Sequence, residues 1–148
     1  MEVKVKKLKA NALLPTYETA QAAAMDLYAC LDEPMILHPL ERAMVPTGLA
    51  FEIPEGFEMQ VRARSGLSIK HGITMVNGIG TIDADYRGEL NALVINLGQE
   101  AFTIEPEMRI AQILVTKYDT VTWQLTEELS ETARGANGFG STGFDKKG

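Results

Sequence analysis

A hydrophobic period of two constrains this chain more than any other feature. In Phe57-Glu58-Met59-Gln60-Val61-Arg62-Ala63-Arg64 the odd positions are apolar and the even ones polar. That is the pattern of a strand with one face in a core and the other in water. Glu2 to Leu8 alternates in the same way, and Met25–Leu31, Ala43–Ile53, Leu90–Leu97 and Arg109–Tyr118 are rich in Val, Ile, Leu and Phe. Between them stand turn signals such as Pro54-Glu55-Gly56, Asn77-Gly78, Arg87-Gly88 and Glu105-Pro106, residues that preset or permit turn dihedrals. Only Ser65–His71 and Thr126–Glu131 read as helical turns. Many short strands at regular spacing predict an all-β fold, a jelly-roll-like antiparallel barrel or sandwich.

With 148 residues the chain suits one domain able to bury a proper core. No repeat or linker divides it, but the composition changes near Ser130. Residues 130–148 hold five glycines and five charges, with Phe139 and Phe144 as their only large apolar side chains. Such a segment cannot bury enough surface to order itself. The expectation is a β domain over residues 1–129 and a flexible C-terminal arm over residues 130–148.

Several function classes are disfavoured. A net charge of −6 and a pI near 4.9 oppose avid binding to nucleic acid through phosphate neutralisation, though a local basic site is compatible with them. No apolar run approaches a membrane span, and the alternating N-terminus lacks the basic patch and apolar stretch of a signal peptide. The single cysteine, Cys30, precludes an internal disulfide and fits a reducing compartment, so a cytoplasmic location is expected. His38 and His71 are isolated in sequence, so a clustered zinc site is not expected. No Gly-x-Ser-x-Gly elbow is present, and Gly138-Phe139-Gly140-Ser141-Thr142-Gly143 lacks the lysine and following helix of a phosphate-binding P-loop.

Polar clusters remain at the ends of strands. Arg64-Ser65-Gly66 offers a forked cation, a hydroxyl and an open backbone N–H, a set suited to phosphate oxygens, although a capped turn is the plainer reading of the tripeptide alone. The stretch from Asn77 to Gly88 holds three glycines, Gly78 and Gly80 before Asp83 and Gly88 after it, in otherwise β-prone chain, a sign of close approach by a ligand or another backbone. Asp83 and Asp85 share a strand face, and a decorated hairpin with solvated acids is the alternative. Gln112 is a polar side chain within an apolar strand, either a ligand contact or a satisfied core amide. Ala133 to Gly143 combines four glycines with Arg134, Ser141 and Thr142, the composition of a phosphate-wrapping loop.

In order, Ala24-Met25-Asp26-Leu27-Tyr28-Ala29, Arg64-Ser65-Gly66-Leu67, Gly80-Thr81-Ile82-Asp83-Ala84-Asp85-Tyr86-Arg87-Gly88-Glu89, Arg109-Ile110-Ala111-Gln112 and Arg134-Gly135-Ala136-Asn137-Gly138-Phe139-Gly140-Ser141-Thr142-Gly143 resemble the five motifs of the trimeric dUTPase family. The likeness runs from about residue 20 to residue 143. It implies a homotrimer with shared active sites and hydrolysis of dUTP to dUMP and pyrophosphate with Mg²⁺, limiting uracil in DNA and supplying dUMP for dTMP synthesis. On the same resemblance Asp83 is the base that deprotonates the attacking water. Gly80, Thr81, Ile82 and the Asn77 amide read uracil, Tyr86 lies beneath the deoxyribose, and Asn91 aligns with a further substrate contact. Arg64, Ser65, Gly66 and Gln112 meet the phosphates, and Asp26 holds Mg²⁺ through water. Arg134, Gly140, Ser141 and Thr142 join from the arm, with Phe139 stacking on the base.

Three positions depart from the usual motifs: Ala24 and Asn137 stand for common glycines and Thr81 for a common aliphatic. Asparagine tolerates left-handed dihedrals better than other non-glycine residues. Two other readings stay open at this level. A dCTP deaminase-like enzyme shares the Gly-x-Ile-Asp hairpin but carries a catalytic glutamate where this chain places Leu93, and favours Arg-Ser-Ser over Arg-Ser-Gly. A non-catalytic trimeric nucleotide-binding module is the second.

Overall fold

The computed structural model describes residues 1–141 and 143, so Thr142, a predicted arm contact, lies outside the described residues. Among the described residues ten strands and one helix follow one another: β1 (Lys4–Lys7), β2 (Met25–Tyr28), β3 (Met35–Leu37), β4 (Arg42–Glu52), β5 (Phe57–Arg62), α1 (Ser65–His71), β6 (Ile73–Met75), β7 (Gly80–Ile82), β8 (Glu89–Asn96), β9 (Phe102–Ile104) and β10 (Arg109–Lys117). One sheet has the order β1-β4-β8-β6, a second β2-β10-β5-β7, and β3 pairs with β9. Every pairing is antiparallel.

The alternation in sequence sets which side chains face inward. In β8 Leu90, Ala92, Val94 and Asn96 are buried while their neighbours are partly exposed. In β5 Met59 and Val61 enter the core and the polar residues between them do not. Asn96 faces inward too, at a cost that hydrogen bonds offset. Its amide donates to the carbonyls of Leu37 and Glu100, each at 2.8 Å, and its oxygen accepts from Gly98 N at 2.8 Å. Thr47 likewise donates to Leu90 O at 2.6 Å.

The helical turn expected at Ser65–His71 is α1. The one expected at Thr126–Glu131 is absent: six exposed residues rich in glutamate have no core to pack on, and so short a segment cannot offset helix nucleation. The strands β3, β6 and β9 escape sequence reading because three residues each are too few to display a period.

α1 ends on Gly72, which sits at φ +71° where the backbone of Leu97 and Gly98 fills the space a Cβ would take. A side chain there would meet main chain and would also hold an unfavourable dihedral. Gly72→Ala is expected to cost at least about 2 kcal/mol and to lower the melting temperature by several degrees. A melting temperature equal to that of the native protein would remove this contact from the fold in solution.

Candidate active site

β7 is held at the sheet edge by β5, with Gly80 opposite Val61, Thr81 opposite Gln60 and Ile82 opposite Met59. Space favours glycine at position 80, because a Cβ there would stand 3.1 Å from that of Val61 and 3.4 Å from the Asn77 amide nitrogen, tighter than ordinary contact. The chain then leaves the strand, and Tyr86 N donates to Asp83 O at 3.2 Å, closing a turn. Thr81, Ile82, Asp83, Tyr86 and Asn91 line one pocket of about 240 Å³ with Met44, Glu89 and Leu93. Five residues expected to contact nucleotide, the proposed base included, are thus brought together.

Local hydrogen bonds fix this pocket. Tyr86 donates its phenolic hydrogen to Glu89 O at 3.0 Å, and the Asn91 amide donates to the same carbonyl at 3.1 Å. The Tyr86 ring lies over Gly88, where any side chain would collide with it. Arg87 donates to Ala84 O at 2.6 Å and to Tyr86 O at 3.0 Å, so one guanidinium ties the turn. The Asp83 carboxylate is exposed and has no hydrogen-bond or ion-pair partner among the described residues. Asn77 stands in the turn before β7, beside Gly80 and outside the pocket lining.

A second cluster lies on the β2-β10-β5 sheet. Gln112 of β10 pairs with Asp26 of β2 on one side and Arg62 of β5 on the other, so the three share one face. Arg64 follows β5 in extended conformation, immediately before Ser65 and Gly66 open α1. Its Nε donates to Asp26 Oδ1 at 3.1 Å and its Nη1 to Arg109 O at 3.1 Å. Arg109 Nη1 reaches Asp26 Oδ2 at 3.2 Å and Glu18 Oε2 at 3.0 Å. Arg64, Ser65, Gly66 and Gln112 are therefore neighbours, with cations and donors suited to phosphate oxygens.

The described residues of the arm contribute to neither cluster within this chain. Residues 130–141 are exposed apart from Gly138. Arg134 Nε donates to Asn137 O at 2.8 Å, and Phe139 and Gly140 hold positive φ angles of 51° and 85°. Phe139 is fully exposed.

Asp26 does not fit a hydrated metal ion in this arrangement. Its side chain is 3% exposed and both carboxylate oxygens accept from arginine, whereas magnesium keeps several waters and needs room for them. Among the described residues no group of three or more His, Cys, Asp and Glu side chains could hold a metal ion.

Sequence reading placed Leu93 and Glu89 near this hairpin but did not anticipate Met44 or Arg62 at these clusters. Met44 and Leu93 face each other across β4 and β8, a pairing no local pattern reveals. Arg62 carries a signal in hindsight, as the cation of the alternating strand nearest Arg64.

A family model for dUTPase matches residues 10–143. The deoxyuridine 5'-triphosphate nucleotidohydrolase of Orientia tsutsugamushi (strain Boryong) is 51% identical over 147 residues, covering 97% of this chain and 99% of its own. That of Cytophaga hutchinsonii is 56% identical over 135 residues, covering 91% and 88%. Among solved structures, a variant of the Staphylococcus bacteriophage 80alpha dUTPase with dUpNHpp superposes with a TM-score of 0.87 at 28% identity, covering 97% of this chain and 99% of that one.

Proposed function

The chain belongs to the dUTPase family, and from that premise we propose that its hairpin pocket and its arginine cluster are the two halves of an active site assembled from different subunits. The enzyme is a dUTP diphosphatase that hydrolyses dUTP to dUMP, with pyrophosphate as the other product. dUTPases are homotrimers. The observation that carries the reading is the pocket of Thr81, Ile82, Asp83, Tyr86 and Asn91, because it joins a water-accessible carboxylate to a nucleoside-sized recess.

Water held by the Asp83 carboxylate attacks the α-phosphorus and passes its proton to that carboxylate. The bond from the α-phosphorus to the bridging oxygen breaks, and pyrophosphate leaves with the electron pair. Backbone groups of Gly80 to Ile82 and the Asn77 amide read the uracil edge, where a cytosine would oppose donor to donor and leave buried groups unpaired. Arg64, Ser65, Gly66 and Gln112 bind phosphate oxygens and offset charge as the transition state develops. Magnesium dependence is a property of the family, and the ion is brought by the triphosphate as part of the substrate.

Division of the site between chains is supported by distance. Ile82, one residue before Asp83, pairs with Met59. Extended chain from Met59 to Arg64 covers about 16 Å at roughly 3.3 Å per residue, yet base and phosphate-binding groups must meet around one triphosphate. Exposure supports it too. After β10, Val121, Trp123 and Leu125 alternate with polar residues and are 69%, 93% and 101% exposed. A lone subunit would leave that stripe in water, and a neighbouring subunit covers it. Among the described residues no helix is long and apolar enough to cross a membrane. Cys30 is free and buried, and burial raises its thiol pKa; such an inert thiol suits the cytoplasm, where we place the enzyme.

Tyr86 is expected to exclude ribose, since its ring, 46% exposed and tethered through its hydroxyl, occupies space beside the sugar. Tyr86→Ala should relax discrimination against UTP by at least about tenfold in kcat/KM, the scale of one lost steric contact. An unchanged dUTP-to-UTP ratio would refute the gate. The function itself is tested by incubating the protein with dUTP, dCTP and UTP and analysing products. dUMP and pyrophosphate from dUTP alone are expected; ammonia from dCTP, or binding without turnover, would contradict it.

A further inference from the structure

Asp26 is a charged side chain buried in a strand, and the reaction described above gives it no task. Burial of an isolated carboxylate is costly, so it persists only with full compensation. That compensation comes from two guanidiniums, one on each carboxylate oxygen. The two arginines come from separate parts of the sequence, Arg64 after β5 and Arg109 at the start of β10. Asp26 stands opposite Gln112, and β10 lies hydrogen-bonded between β2 and β5.

We infer that Asp26 is a positioning residue, a buried bracket that aims Arg64 and Arg109 at the triphosphate, and that it does not hold the magnesium ion. This rests on the dUTPase reading of the site. Arg64 spends its Nε on Asp26 and its Nη1 on Arg109 O, which fixes the guanidinium plane and leaves Nη2 without a partner among the described residues. A guanidinium carries five N–H donors in a rigid fork, so donors remain for a phosphate edge after two are used. Without the carboxylate, two like charges would converge with nothing between them, and Arg64 would lose the contact that sets its plane. Orientation fixed before binding lowers the entropic cost of meeting the phosphates.

The roles of bracket and metal holder separate in a binding experiment that needs no turnover. The affinity of dUpNHpp is measured by calorimetry for the native protein and for Asp26→Asn, each with Mg²⁺ and again with EDTA. The bracket predicts that the substitution weakens binding about tenfold or more in both conditions, by the same factor within twofold. A loss confined to the Mg²⁺ arm would overturn it and return Asp26 to the metal. Arg109→Gln serves as the second variant, because it frees one carboxylate oxygen while Asp26 stays in place. A bracket predicts weaker binding in both arms, whereas a metal-facing carboxylate, relieved of its arginine, would bind tighter with Mg²⁺. A native protein that fails to bind dUpNHpp in either arm would instead refute the dUTPase reading itself.

Discussion

Asp83→Asn is expected to lower dUTP turnover by roughly 10²- to 10⁴-fold, the usual contribution of a positioned base, while dUTP still binds. Asparagine keeps the size of the side chain and can still hold a water, but it cannot accept the proton. The surroundings make this a clean substitution. Asp83 is exposed at the mouth of the hairpin pocket, and its carboxylate supports no other group among the described residues. The turn around it is held by backbone and by Arg87, so the pocket should survive. Melting temperature and dUpNHpp affinity should therefore stay close to native. Turnover within a few fold of native would remove Asp83 from the role of base.

Truncation after Ser130 is expected to leave melting almost unchanged and to reduce kcat/KM for dUTP by at least about a hundredfold, the scale of losing one essential set of oxyanion donors. The described part of the arm is bonded mainly to itself: Gly135 N donates to Thr132 O at 3.1 Å, Asn137 N to Arg134 O at 3.2 Å and Ser141 N to Gly138 O at 3.0 Å. No core residue belongs to it, so its removal costs the fold little. Its proposed work is done on bound nucleotide, where Arg134 with Ser141 meets the outer phosphates and Phe139 covers the base. Thr142 belongs to the same proposed set. Equal kcat/KM in the truncated enzyme would sink the arm as a lid, and a large drop in melting temperature would make it part of the fold instead.

The sequence was most legible where a period or a spatial necessity is written locally. β5 could be read from Phe57 onward because alternate burial is the condition for a strand with one wet face. Gly80 and Asp83 could be singled out because glycines interrupt β-prone chain only for a reason, and here that reason is contact with Val61 and Asn77. What could not be read were partnerships across the sheets. Met44 reaches the hairpin pocket only through the β4–β8 register. The engagement of Asp26 by Arg64 and Arg109 depends on three strands meeting, and it changes the expected role of Asp26 from metal holder to bracket. The Thr126–Glu131 segment misled in the opposite direction. Its composition permits a helix, but without an apolar face against the core nothing stabilises one. The same absence of contact marks Val121, Trp123 and Leu125 as residues that need a neighbour.

In the proposed reaction, water activated by Asp83 attacks the α-phosphorus of dUTP. The most direct measurement is hydrolysis of dUTP in ¹⁸O-labelled water followed by mass analysis of both products. The predicted result is one labelled oxygen in dUMP and none in pyrophosphate. Label in the pyrophosphate instead would mean attack at the β-phosphorus and would contradict the mechanism.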